Sequence, residues 1–217
     1  MTSTTGKGQQ VTKELIESYR EISVGDIGHI LDAPNFMDIT IQSVYRDVKL
    51  VGPAFTARVL PGDTGFTRKI IEVAQPDDVI VIDRCGDTKY ACWGGAVTLH
   101  CKMKGVAGLV IDGPVTDRME ITDMKWPVFS RGITGLVGRK LEKGGDIQIP
   151  VTCGGAIVRP GDLIVADDDG IVVIDPGEMV ELLKKIQERF SQVPPIRKWI
   201  ADGKPLKNHP QADLFKI

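Results

Sequence analysis

Two neighbouring stretches of this chain carry residue types that could do chemistry together. The first is Gly94-Gly95-Ala96-Val97, a small-residue step just before a helical pattern. The second is Thr116-Asp117-Arg118-Met119-Glu120, which follows the apolar run 108–113. A helix that begins at small residues presents free backbone N–H groups and a positive dipole end, and these can receive a carboxylate or a phosphate. Asp117 and Glu120 supply hard oxygen ligands of the kind a hydrated divalent cation accepts. An anion cradle facing a carboxylate-held cation suits a small oxoacid. Each half also has a plainer reading. Gly-Gly before a helix is commonly turn geometry, and acids in a loop are commonly solvated.

The elements that must position these groups follow from periodicity. Residues 79–83 and 108–113 are continuous apolar runs, the mark of strands buried on both faces. Residues 66–73 and 91–104 have helical spacing, the second entered through Gly94-Gly95. The two candidate loops therefore sit at the carboxyl ends of strands, where ligands gather in α/β sheets. Further strands are expected at 52–60, 126–130, 147–151, 156–158, 163–166 and 171–174, with a short one at 39–41. Helices are expected at 11–23, 27–31 and 177–190, the last continuing raggedly to 199. Alternating strands and helices followed by a run of strands predict one α/β domain over 11–200 with both sheet faces covered. Residues 1–10 read as a disordered polar N-terminus and 201–217 as a surface-laid or disordered tail.

Composition narrows the class. Apolar content of 42% and charged content of 26% are those of a globular chain. A net charge of -2 argues against a nucleic-acid surface. The first ten residues lack the apolar core of a secretory signal, and no apolar run has membrane-span length, so no membrane partner and a cytoplasmic location are expected. Cys85, Cys92, Cys101 and Cys153 form no C-x-x-C pair and read as free thiols in a reducing compartment, with Cys92 the expected exception beside the glycine step. His100 is expected to pack, His29 to be structural, and Trp126-Pro127 and Met119 to be packing residues. Asp167-Asp168-Asp169-Gly170 reads as a turn between strands rather than a metal cluster.

A collinear set of short motifs sharpens the reading. Ser23-Val24-Gly25-Asp26, Gly52-Pro53-Ala54, Gly62-Asp63, Pro76-Asp77-Asp78-Val79, Gly105-Val106-Ala107-Gly108, Asp112-Gly113, Pro127-Val128-Phe129, Arg131-Gly132, Pro160-Gly161-Asp162 and the stretch 166–173 resemble, in order, the RraA-like family. That family includes the class II 4-hydroxy-4-methyl-2-oxoglutarate/4-carboxy-4-hydroxy-2-oxoadipate aldolases, which also decarboxylate oxaloacetate, and the non-catalytic regulators of ribonuclease E. Its catalytic members carry Gly, twenty residues, Arg-Asp, two residues and an acid. Here Gly95 is followed by twenty residues, then Thr116-Asp117, Arg118-Met119 and Glu120, so the arginine is replaced by Thr116.

The resemblance implies a layered α-β-β-α sandwich and a homo-oligomer, trimeric or hexameric, with the C-terminal helix and tail as interface or lid. It implies Mg²⁺ or Mn²⁺ on Asp117, with Glu120 acting on its water. It implies a substrate carboxylate on the amides of Gly94, Gly95, Ala96 and Val97, and Thr116 where the arginine would steady a developing enolate. Lys89, Arg84, Arg131 or, less directly, Arg118 could supply the missing cation. Three activities stay open: a metal-dependent lyase on a small 2-oxoacid, by retro-aldol cleavage or decarboxylation; a metal site repurposed for hydrolysis or hydration of a carboxylate or amide; and a regulator without catalysis.

Overall fold

The structure, a computed structural model, describes residues 12–210. The expected disordered segment 1–10 and the end of the tail lie outside them. The described chain runs α1 (Lys13–Glu17), α2 (Val24–Ile27), a 3₁₀ turn (Ala33–Asn35), β1 (Gln42–Ser43), β2 (Leu50–Val59), α3 (Thr67–Val73), β3 (Val79–Asp83), α4 (Gly95–Lys104), β4 (Gly108–Val115), α5 (Arg118–Met124), β5 (Val128–Ile133), β6 (Gly145–Ile147), β7 (Val151–Cys153), β8 (Ala156–Val158), β9 (Leu163–Asp167), β10 (Gly170–Ile174) and α6 (Met179–Ala201), then a last 3₁₀ turn (Leu206–Asn208).

Strands β2, β3, β4 and β5 are mutually parallel and lie side by side in sequence order, joined through α3, α4 and α5. Because the order never reverses, the right-handed crossovers put all three helices on one face. Ile70, Ile71, Cys101 and Ile121 of those helices pack there with Phe55, Ile80, Ile82, Leu109 and Ile111. The opposite face must be covered otherwise. Val79, Val81 and Val110 pack there with Val151, Cys153, Ala156 and Val158 of the β7–β8 hairpin, and with Ile164 and Ile171 of β9 and β10. The other edge of β2 is shared: Leu50–Pro53 pairs with β9 and Ala57–Val59 with β6, both antiparallel. This is a mixed α/β domain of layered type. Its main unit ends at Met179, and a second unit begins at Val180. In that second unit the indole of Trp199 donates to the carbonyl of Pro205 at 3.1 Å and its ring meets His209 edge-on.

Several local expectations are corrected. The first helix is one short turn-and-a-half, capped by the Thr12 hydroxyl on the Leu15 amide. The second starts at Val24 rather than 27, because Ser23 caps the Asp26 amide. No strand forms at 39–41; Ile39 is 85% exposed and the strand falls at Gln42–Ser43. The run 147–151 is split between β6 and β7, with Gln148 in the left-handed region. Residues 177–201 begin their helix at Met179 and continue as one helix to Ala201. The Asp167–Asp169 stretch is the β9–β10 turn. Asp167 accepts from the amides of Val24 and Asp169, and Asp168 from the hydroxyl of Ser43 and the amide of Asp47. Among the described residues no helix is long and apolar enough to cross a membrane.

A buried ion pair braces the carboxyl ends of β2, β3 and β4. Arg84 is fully buried, and its Nη2 donates to Asp87 Oδ2 at 2.7 Å. Nη1 reaches the carbonyls of Val59, Leu60 and Asp63, and Nη2 also that of Tyr90. Gly113 leaves the room, since a Cβ there would lie 2.7 Å from Arg84 Cγ. Asp87 additionally accepts from the amides of Gly62, Lys89 and Tyr90.

Removing one partner strands a charge in a dry site, so Asp87→Ala is expected to cost about 3–5 kcal/mol in urea unfolding. A pH dependence follows as well. Burial pushes the carboxyls of Asp63 and Asp87 up, but the amides around each, with Arg84 beside Asp87, pull both below the usual range. Their stabilisation is complete above the unfolded value of about 4 and is lost as pH falls through the lowered folded value. The acid limb of the stability–pH curve should therefore be steep below about pH 4 and flatter in Asp87→Asn.

Candidate functional site

The glycine step is anchored from behind by two tryptophans. Trp93 is 1% exposed, stacks on Trp126 with ring centroids 6.4 Å apart, and donates its indole N–H to Thr98 Oγ1 at 3.1 Å. Trp126 donates to the carbonyl of Val106 at 2.8 Å. Burial of two such rings dominates local packing energetics, and it fixes the chain immediately before Gly94. The Trp93 carbonyl also accepts the Thr116 amide at 3.0 Å, which ties the glycine step to the end of β4. Sequence reasoning kept Trp126 as packing and missed Trp93. An aromatic directly before a Gly-Gly helix start was the available signal.

Asp117 then enters with φ 58° and ψ 42°, a left-handed conformation that costs a non-glycine residue about 1 kcal/mol or more. It stands at the N-cap of α5, yet its carboxylate makes no capping bond to its own helix. Oδ2 instead accepts the Gly95 amide of α4 at 2.9 Å, and Oδ1 accepts the Thr116 hydroxyl at 3.1 Å. The close approach explains both glycines. A Cβ on Gly94 would lie 2.4 Å from Asp117 Oδ2 and 2.7 Å from Thr116 Cγ2; one on Gly95 would lie 1.8 Å from Glu120 Oε2. Two carboxylates thus press on one buried glycine step, while Asp117 and Glu120 themselves remain exposed.

The structure therefore brings together Thr116, Asp117, Glu120, Gly94 and Gly95. It alters the expected cradle, because the Gly95 amide is given to Asp117. Ala96 and Val97 keep first-turn amides that have no acceptor within their own helix. Arg118 is a helical residue rather than part of an extended loop, and its Nε donates to the carbonyl of Val44. Arg84 is locked in its brace. Arg131 donates through Nε to Asp112 and through Nη1 to Thr40. His100 is exposed, off the buried stripe of Gly95, Thr98 and Cys101, and so is not a packed residue. Met119 is 81% exposed and is not packing either. Among the cysteines the exposed one is Cys85, not Cys92, whose thiol burial pushes up to about 11.

A hard divalent cation fits this donor set. The two carboxylates are oxygen ligands on a step with no thiol or imidazole, and Asp117 is aimed by two hydrogen bonds that leave each oxygen further lone pairs. Among the described residues no group of three or more His, Cys, Asp or Glu could hold a metal. Water and substrate oxygens would have to complete the shell, the usual habit of Mg²⁺.

Comparison with known proteins identifies the family and the fold. The profile of the RraA-like family, described as Aldolase/RraA, matches residues 25–173. A Halalkalibacterium halodurans protein, provisionally named as a 4-hydroxy-4-methyl-2-oxoglutarate aldolase, is 37% identical over 180 residues, covering 83% of this chain and 85% of that protein. A Streptomyces coelicolor structure, described as an unusual member of the RNase ES inhibitor RraA protein family, superposes with a TM-score of 0.72 at 27% identity, over 86% of this chain and 100% of that one. A Pseudomonas syringae protein of unassigned function shares the fold over 99% of both chains, with a TM-score of 0.82 at 22% identity.

The glycine contacts make a coupling measurable. Gly95→Ala is expected to cost on the order of 1–3 kcal/mol through overpacking against Glu120. In a Glu120→Ala background that penalty should shrink, and a double-mutant cycle on unfolding free energies reads the difference.

Proposed function

The chain belongs to the RraA-like family, and on that premise we propose that it is a divalent-metal-dependent carbon–carbon lyase acting on a small 2-oxoacid, by retro-aldol cleavage or decarboxylation. The single observation that carries the reading is the Asp117 carboxylate held on the Gly95 amide, with Glu120 against the same glycine. Mg²⁺ or Mn²⁺, held by Asp117, would supply Lewis-acid polarisation of the substrate's 2-oxo group. The protein's own groups do the rest. The Ala96 and Val97 amides, at the positive end of α4, receive the substrate carboxylate. Thr116 keeps Asp117 oriented by donating its one hydroxyl proton to Oδ1, and offers the reacting oxygen a neutral hydrogen bond only when that proton turns away from Asp117. Glu120 exchanges a proton with water at the site.

Thr116 bears on rate. A neutral donor replacing a fixed charge at a developing oxyanion costs commonly about 10²–10³-fold, so slow turnover is part of the reading. The regulator reading draws support from the name of the Streptomyces coelicolor relative. The lyase is favoured because Asp117 and Glu120 keep exposed carboxylates at this step, and a regulator without catalysis has no physical need of a metal ligand there. We further propose that the protein works as a homo-oligomer in the cytoplasm.

The test is pyruvate release from 4-hydroxy-4-methyl-2-oxoglutarate and from oxaloacetate, coupled to lactate dehydrogenase. Turnover should require Mn²⁺ or Mg²⁺, disappear with EDTA, and fall by at least about 100-fold in Asp117→Asn. Rates no greater than those of free metal on both substrates would defeat the lyase assignment.

A further inference from the structure

Three carboxylates at the carboxyl edge of the parallel strands lie against an arginine. Asp83 is 3.4 Å from Arg58, Asp87 is held by Arg84 at 2.7 Å, and Asp112 accepts from Arg131. Asp117 and Glu120, at the same edge, are not matched in this way. Among the described residues neither has an ion-pair partner, and both press on the one glycine step. What Asp117 does have is the end of α4. Its Oδ2 accepts the Gly95 amide at 2.9 Å, the first of the N–H groups that this ten-residue helix leaves open.

The charges at that helix end do not balance. A helix N-terminus is equivalent to about half a positive charge, whereas Asp117 and Glu120 bring one full negative charge each. The Ala96 and Val97 amides suit an anion, yet an anion arriving there meets a carboxylate already seated on the neighbouring amide. Like charges a few ångströms apart at a partly solvated surface repel by about tenfold in affinity or more. While Asp117 is bare, a helix end that by itself would draw an anion turns it away. A divalent cation on that carboxylate reverses the sign of the local charge.

We propose that Asp117 is an autoinhibitory plug on the anion-binding end of α4, so that a carboxylate ligand is admitted only with a divalent cation on Asp117, and the two bind with positive coupling. The inference rests on the lyase reading for the identity of the ligands, but it concerns binding without turnover. Backbone amide chemical shifts of the ¹⁵N-labelled full-length chain, titrated with pyruvate, read it at the residues concerned. In wild-type protein stripped of metal, the Ala96 and Val97 signals should stay fixed through pyruvate concentrations that move them when Mg²⁺ is present. Asp117→Asn removes the charge and keeps the left-handed backbone, which Asn tolerates. Without metal it should bind pyruvate at least about tenfold more tightly than the wild type, and Mg²⁺ should add little. Asp117→Gly also relieves the backbone and frees the Gly95 amide. It should show the same gain, so the test survives a poorly folded Asn variant. In the wild type, pyruvate should raise the affinity for Mg²⁺ by the factor by which Mg²⁺ raises that for pyruvate. Metal-free wild type that binds pyruvate as well as the two variants do overturns the plug. Failure of the lyase reading looks different: metal-gated pyruvate binding with no turnover of any 2-oxoacid leaves the plug standing and removes the activity.

Discussion

The hydrogen bond from the Gly95 amide to the Asp117 carboxylate imposes several demands at once, and most of the surrounding structure meets them. The chain at Gly94 and Gly95 must come within van der Waals distance of two acidic side chains, which excludes any Cβ. Asp117 must take a left-handed backbone so that its carboxylate leaves its own helix and reaches the neighbouring one. The segment before Gly94 must not drift, and the stacked, hydrogen-bonded pair Trp93 and Trp126 prevents that. Strain of about 1–3 kcal/mol at one residue is small beside the burial of two indoles at roughly 25 cal/mol per Å². The core can therefore hold the carboxylate in place without threatening the fold.

A second constraint holds the same edge from the other side. Burying a guanidinium costs several kcal/mol, and Arg84 offsets this through a close carboxylate and four backbone carbonyls, with only Nε unpartnered. Such an arrangement is valuable less for net stability than for rigidity. It joins the end of β2, the loop after β3 and the bulged end of β4 into one body. The glycine step grows out of that body, so the loop that would meet a ligand is preorganised rather than mobile.

Much of this was legible in the sequence, and the exceptions have physical causes. Runs such as Val79–Asp83 and Gly108–Val115 are apolar on both faces because the sheet is covered on both, and that pattern survives any context. The strand expected at 39–41 failed because two apolar residues among turn formers cannot show which one is buried; the structure buries Ile41 and exposes Ile39. Helix α5 was hidden because its seven residues have one buried position, Ile121, too few for a period to emerge. His100 and Met119 were misjudged for a related reason, since a helical stripe three residues wide leaves neighbours of the same segment in solvent. At the site, the pairing of Gly95 with Asp117 and Glu120 came from the resemblance to the family's signature. That the carboxylate would consume a helix amide could not be read, because it depends on the sign of one φ angle.

Position 116, where the resemblance implies an arginine, shows how a site can change while a fold does not. Thr116 contributes to the architecture through its amide on the Trp93 carbonyl, a bond any residue but proline would make. Its side chain contributes a hydroxyl to Asp117 and a methyl that closes on Gly94. The same division holds along this edge of the sheet: the amides of Ala91, Thr134 and Gly138 donate to the carbonyls of Leu136, Val115 and Ala91 and close the loops, and the side chains between them are free of that task. Because β2 to β5 are joined in sequence order, these loops all emerge at one edge, and the residues that would touch a substrate come from consecutive crossovers. Exchange of one side chain there alters charge and reach without breaking a backbone contact.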